Sequence, residues 1–275
     1  MQLISTIVEL RARLAQERNI AFVPTMGNLH EGHLDLVRQA REQGSCVVVS
    51  IFVNPLQFGP SEDFDKYPRS LDDDTVQLEG LADVIFAPSV SEMYPQAQTV
   101  FVAPPPVANE LCGAMRPGHF IGMATVVLKL FNIVQPNIAL FGKKDYQQLY
   151  IIRQMAAQMN LPVTIFGGET IRAADGLALS SRNQYLSPEG RIEAPFLRKT
   201  LEQMRDLILA GAKDYSALES AAVAGLGKRG WLVEYVSIRN ADSLSPVQAG
   251  ERNLVVLAAA RLGVTRLIDN LEFCL

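Results

Sequence analysis

Two of the chain's three histidines stand three residues apart, in the turn Pro24-Thr25-Met26-Gly27-Asn28-Leu29-His30-Glu31-Gly32-His33. An apolar run, Ile20 to Pro24, leads into this turn, and Leu34, Leu36, Val37 and Ala40 follow it with helical spacing. A helix starting near Glu31 places both imidazoles at its N-terminus, where free backbone N–H groups and the helix dipole favour an anion. His30 and His33 can there donate hydrogen bonds to phosphate oxygens and stabilise charge growing on a leaving group. Gly27 and Gly32 let the backbone approach a bulky ligand closely. Zinc needs a third and a fourth ligand, which no nearby Cys/His pattern supplies, so the turn reads as a phosphate site.

Three more clusters carry chemistry-bearing side chains. Phe141-Gly142-Lys143-Lys144-Asp145-Tyr146-Gln147-Gln148 lies between an apolar run and a helical pattern. Its two lysines can neutralise a polyphosphate, with Gln148 facing the same site one helical turn on; an ordinary solvated helix start carries equal weight on local grounds. Leu179-Ser180-Ser181-Arg182-Asn183 follows an Ala174-Asp175-Gly176 turn and sets two hydroxyls beside a guanidinium, either a phosphoryl clamp or a capped loop. Asn54-Pro55-Leu56-Gln57-Phe58 puts amide side chains after an apolar strand, suited to a polar organic substrate or to a simple turn.

These clusters need a scaffold. Cys46 to Val53 is a continuous apolar run of the kind buried on both faces of a parallel sheet. Asp83 to Ala87, Thr99 to Val102, Asn137 to Phe141 and Val163 to Phe166 read as further strands, with Gly122 to Ile133 and Tyr146 to Met159 as helices. Strand–helix alternation predicts a doubly wound parallel (Rossmann-like) α/β sheet, whose ligands bind at the carboxyl ends of its strands. The loops after Pro24, Val53, Phe141 and Phe166 are therefore expected to line the site. After about residue 171 the pattern changes. Ser187-Pro188-Glu189 opens a helix with Ser as its cap; helical patterns run to about Ala210 and from Tyr215 to Lys228. Strand-like runs follow at Leu232 to Ile238, Leu254 to Ala260 and Thr265 to Asp269, which predicts a second, smaller α+β C-terminal domain.

Composition limits the partners. The chain has 275 residues, 48% of them hydrophobic, and a net charge of −4, which allows a sizeable core and argues against a duplex-binding protein or other nucleic-acid partner. No run approaches the ~18 apolar residues that cross a bilayer, and Glu9 interrupts anything resembling a leader. Cys46, Cys112 and Cys274 are far apart and lack metal-ligand spacing, so they are expected as buried free thiols in the cytoplasm.

In the order PTMGNLHEGH, NPLQF, YPRSLDDD, RPGHFIGMATVVLKLF, FGKKDYQQL and ADGLALSSRNQYLS, these residues resemble the pantothenate synthetase (pantoate–β-alanine ligase) family over nearly the whole chain. The H-x-G-H turn alone reaches only the wider nucleotidylyltransferase superfamily. The resemblance implies a nucleotide- and pantoate-binding domain over residues 1–171, a C-terminal lid domain over residues 172–275, and a homodimer. It also implies an ATP-dependent, Mg²⁺-requiring ligase that joins pantoate to β-alanine through pantoyl adenylate, releasing pyrophosphate and AMP. ATP would be contacted by Met26, Gly27, Asn28, Leu29, His30, Glu31, Gly32 and His33, by Gly142, Lys143, Lys144 and Asp145, and by Ile171, Leu179, Ser180, Ser181 and Arg182. His33 is the family's proton donor, whereas charge stabilisation favours His30, Lys144 and Arg182 as rate-determining groups. Gln57 and Gln148 would bind pantoate, Gln57 also β-alanine, and Asp73 the magnesium ion. Lys143 stands where the family more often has Glu or Gln, and Ile171 where Val is common.

Overall fold

The computed structural model describes residues 1–59 and 64–275. Six strands, β1 (Gln2–Ile4), β2 (Ile20–Thr25), β3 (Cys46–Ile51), β4 (Val84–Phe86), β5 (Ile138–Gly142) and β6 (Thr164–Gly168), form one parallel sheet in the order β1-β4-β3-β2-β5-β6. Their apolar runs are continuous because both faces are covered. Phe22, Val48, Val84 and Phe86 pack against α1 (Ile7–Leu14), α6 (His119–Val134) and α7 (Tyr146–Gln158). Ala21, Val23, Val47, Val49 and Ile85 alternate to the other face, against α2 (Glu31–Gln43) and α3 (Leu71–Leu78). Two short helices, α4 (Val90–Met93) and α5 (Cys112–Met115), occur between β4 and α6. From β2 the chain passes to β3 and β4 on one side, and later to β5 and β6 on the other. The β2/β5 boundary is thus the switch point where such sheets bind ligands.

Beyond β6 come α8 (Pro188–Glu193), α9 (Phe196–Leu209) and α10 (Tyr215–Lys228), then a three-stranded antiparallel sheet of β7 (Leu232–Asn240), β8 (Asn253–Leu262) and β9 (Thr265–Cys274). Ser187 Oγ accepts the Gly190 N–H and Pro188 opens α8, as the sequence predicts. Strand β8 alternates strictly. Leu254, Val256, Ala258 and Ala260 cluster with Leu201, Met204 and Leu226 of α9 and α10, whereas Val255 and Leu257 cluster with Leu111 and Tyr146 of the first part. The small sheet therefore meets α7 and the loop before α5 through an apolar contact.

Three expectations change. Thr99–Val102 is irregular rather than a strand, with its Val102 N–H satisfied by the Thr125 hydroxyl and prolines following at once. Strand β1, which sequence reading passed over, pairs with β4 from more than eighty residues away. Only Cys46 is a buried thiol: Cys112 is half-buried beside β7, and Cys274 is exposed at the end of β9.

Candidate active site

A cavity of about 980 Å³ opens at the switch point. Its lining includes Met26, His30 and His33 after β2, Asn54 and Gln57 after β3, Lys144, Asp145 and Gln148 after β5, and Ser180, Ser181 and Arg182 beyond β6. Three of the four expected loops thus meet. The loop directly after β6 does not, because β6 is an edge strand one place removed from the switch point; Gly168 instead packs on Leu36 of α2.

Helix α2 begins as the sequence requires, with His30 as its N-cap. His30 Nδ1 accepts the Gly32 N–H at 3.2 Å, and His33 Nδ1 accepts the His30 N–H at 3.3 Å. An Nδ1 that accepts a hydrogen bond leaves the neutral ring's proton on Nε2, so both imidazoles carry a donor on that nitrogen. The rings lie 4.0 Å apart between centroids. Burial lowers the His30 pKa to about 4, helped by the Lys144 charge. Burial, His30 and Lys144 lower that of His33 to about 3. Both rings are therefore neutral near pH 7 in the ligand-free protein, and each offers a hydrogen bond rather than a proton.

The Lys144 ammonium is pushed to lower pKa mainly by burial, with Arg182 adding to the effect. Lys143 does not share this position. Its ammonium pairs with Glu169 at 2.5 Å and Glu272 at 3.0 Å, away from the cavity lining. Two main-chain carbonyls of this loop, those of Lys143 and Lys144, accept from Asn270 Nδ2 of β9 at 2.8 and 2.9 Å.

Ser180 caps the 3-10 turn Ser181–Tyr185, and Ser181 Oγ donates to the Asn28 carbonyl at 3.0 Å. The Arg182 guanidinium stands 5.9 Å from the Tyr67 ring centroid. Ile171 accepts the Leu179 N–H and lies close to Gly32. Other expected nucleotide residues face elsewhere: Glu31 pairs with Arg38 at 2.5 Å, and the Asn28 and Leu29 N–H groups bond Asp74. The space that Gly27 leaves is filled by Asp74 Oδ2 and Ile51, where an added Cβ would lie 2.9 and 3.0 Å away. Gly27, with φ of 80°, thus serves a protein turn.

The opposite wall is built of amides. Tyr94 OH donates to Asn54 Oδ1 at 2.7 Å, Asn54 Nδ2 donates to Gln57 Oε1 at 3.1 Å, and Gln57 Nε2 reaches Met26 Sδ at 3.2 Å. Helix α6 holds the backbone of this turn. His119 Nδ1 bonds the Gln57 carbonyl at 2.7 Å, and a Cβ on Gly122 would meet the Leu56 carbonyl oxygen at 2.0 Å. His119, Asp74, Tyr94 and Asn270 escaped sequence reading as site-building residues. The RPGHF block contained His119, but nothing local says that its partner is Gln57.

Asp73 is exposed at the first turn of α3 and is not part of the cavity lining. Among the described residues no group of three or more His, Cys, Asp or Glu side chains could hold a metal ion. A single carboxylate fits only a hard cation held mostly by phosphate oxygens and water, which is the usual Mg²⁺ arrangement in nucleotide sites.

A switch-point cavity with paired neutral imidazoles, a half-buried lysine and facing amides defines an α/β protein whose site can hold a polyanion beside a polar organic molecule. The family model described as pantoate-beta-alanine ligase matches residues 2–272. Pantothenate synthetases of Methylobacillus flagellatus and Chromobacterium violaceum are 58% and 59% identical over 274 residues, covering 99% of each chain. The crystal structure of pantothenate synthetase from Thermus thermophilus superposes with a TM-score of 0.94 at 45% identity, covering 99% of both chains. That of the Francisella tularensis pantoate-beta-alanine ligase, complexed with beta-gamma ATP and beta-alanine, gives 0.80 at 33% identity, covering 98% of this chain and 97% of that one. The chain belongs to the pantoate–β-alanine ligase family.

Proposed function

We propose that this protein condenses pantoate with β-alanine at the expense of ATP, and that both half-reactions occur in the switch-point cavity. The observation carrying the reading is that the anion-binding groups His30, His33, Lys144 and Arg182 line the same cavity as Gln57 and Gln148. The pantoate carboxylate attacks the α-phosphorus of ATP, forming pantoyl adenylate, a mixed carboxylic–phosphoric anhydride, as the bond to the pyrophosphate oxygen breaks. The β-alanine amine then attacks the activated carbonyl, the amide forms, and AMP leaves. Gln57 and Gln148 orient pantoate, and Gln57 the incoming amine. His30 and His33 direct Nε2–H groups to phosphate oxygens, while Lys144 and Arg182 stabilise the charge that accumulates as pyrophosphate departs. Ser180, Ser181 and the main chain around Gly142 and Leu179 complete the nucleotide contacts.

Asp73 would be the protein ligand of the magnesium ion that the resemblance implies, which would supply positive charge to the nucleotide's phosphates. Residues 172–275 are assigned the role of a lid; solution scattering that is identical with and without ATP plus pantoate would count against it. The active form is proposed to be a homodimer, which light scattering on the eluted protein tests. A cytoplasmic location agrees with the unpaired cysteines and with the lack, among the described residues, of any helix long and apolar enough to cross a membrane.

The deciding experiment incubates the protein with ATP, Mg²⁺ and pantoate, with and without β-alanine. Many turnovers of AMP together with pantothenate only when the amine is present support the reading. Absence of AMP from both mixtures overturns it in favour of nucleotidyl transfer to another acceptor.

A further inference from the structure

The run Asp72-Asp73-Asp74 at the start of α3 holds three carboxylates with different surroundings. Asp72 and Asp73 are exposed, whereas Asp74 is 0% exposed. A carboxylate out of water must be met by donors, and three meet it: the Leu29 N–H on Oδ1 at 2.8 Å, the Asn28 N–H on Oδ2 at 2.9 Å, and Ser70 Oγ on Oδ1 at 3.3 Å. Asp74 contributes nothing to the cavity lining. It grips the turn that carries the imidazoles.

That turn is strained. Gly27 and Asn28 have φ of 80° and 50°, two successive left-handed residues, and the second has a side chain. Such a conformation persists only where its surroundings over-determine it. Asp74 takes the amides of the turn from below, and Ser181 Oγ takes the Asn28 carbonyl from the other side. His30, the α2 cap, follows directly after Leu29, and its ring and that of His33 are tied to the backbone by the reciprocal cap. A shift of the Gly27–Leu29 segment therefore carries both rings with it.

We propose that Asp74 is a positioning residue for adenylate formation: its carboxylate locks the Gly27–Leu29 turn so that His30 and His33 face the phosphates. The proposal rests on the ATP site assigned above. It separates Asp74 from its neighbour Asp73, since a residue that works through the main chain has no effect on the metal requirement.

The test compares Asp74→Asn, Ser70→Ala and the exposed control Asp72→Asn with the parent protein. The readouts are pyrophosphate release at saturating substrates, the separate KM values and Mg²⁺ dependence, and the imidazole nitrogen resonances without ligand. Asp74→Asn is expected to lower kcat by about tenfold to a hundredfold, the scale of a roughly 1 Å misplacement. The KM for pantoate and the Mg²⁺ dependence should hold, while the His30 and His33 resonances shift and those of His119 do not. Ser70→Ala, which removes only the hydroxyl donor, should move the same readouts in the same direction by about twofold to fivefold. It carries the test if Asp74→Asn fails to fold. Unchanged His30 and His33 resonances, or activity restored by raised Mg²⁺, would overturn the proposal. A parent protein that releases no pyrophosphate would instead refute the assigned ATP site, and the histidine resonances would still decide whether Asp74 positions the turn.

Discussion

The two walls of the cavity are held in different ways. The histidine wall is a left-handed turn tied by side chains from elsewhere, Asp74 on α3 and Ser181 after β6, with Asn270 of β9 fastening the adjoining lysine loop. The amide wall is a 3-10 turn, Pro55–Gln57, pressed against the backbone of one helix, α6. One wall is positioned by hydrogen bonds from three separate elements, of which those to the Asp74 carboxylate are charge-assisted; the other combines close packing on α6 with the His119 and Tyr94 hydrogen bonds. The first depends on partners from α3, β9 and the segment after β6, whereas the second depends mainly on the packing of α6.

Removing charge from the histidine wall should have the largest effect. Lys144→Ala is expected to lower kcat by about a hundredfold to a thousandfold, the range for deleting one stabilising donor, with little change in the pantoate KM. A loss confined to the pantoate KM would erase the distinction between the walls. Packing should dominate on the other side: Gly122→Ala forces the Leu56 carbonyl to move, since the new Cβ lies 2.0 Å from it. We expect the pantoate KM to rise about tenfold, the ATP KM to hold, and stability to fall by about 1–3 kcal/mol as in overpacked cores. Equal rises in both KM values would contradict the assignment of this wall to pantoate.

Acid should also act on the histidine wall. The folded His30 and His33 pKa values, about 4 and about 3, lie below the ordinary 6.5, so the unfolded chain binds more protons between those limits. The contribution of the two rings to stability is full above pH 6.5 and is lost as pH falls toward 3. Denaturant titrations should show this slope in the parent and a flatter one in a His30→Asn/His33→Asn variant. The smallest effect should come from Lys143→Gln, whose ammonium faces Glu169 and Glu272. An ATP KM within about threefold of the parent is expected, because partly exposed pairs of this kind contribute only about 0–1 kcal/mol. A fall in kcat comparable to that of Lys144→Ala would remove the distinction between the two lysines.

Local rules were legible in advance. Continuous apolar runs marked β2, β3 and β5, the spacing after His33 marked α2, and Ser187-Pro188 marked α8, because each depends on residues within one or two turns. The first misreadings share a cause. Strand β1 is only three residues long and is defined by its partner β4. Which carboxylate of Asp72-Asp73-Asp74 turns inward depends on a loop 45 residues earlier in the chain. His119 lies 62 residues from the carbonyl it holds. Residue types pointed to a phosphate site, whereas the groups that aim those residues are set by tertiary partners that no local periodicity encodes. The resemblance to a ligase family supplied the substrates, which the residue pattern alone left as a phosphate and a polar organic molecule.

The Asn270 side chain bonds two carbonyls that lie 127 and 126 residues before it in the chain. A chain made from its N-terminus therefore carries Lys143 and Lys144 long before it carries the amide that fixes their loop. Before β9 is made, the chain holds the residues of the parallel sheet and both histidines but lacks the amide that ties the Lys143 and Lys144 carbonyls, so the order of that loop depends on a strand of the other sheet.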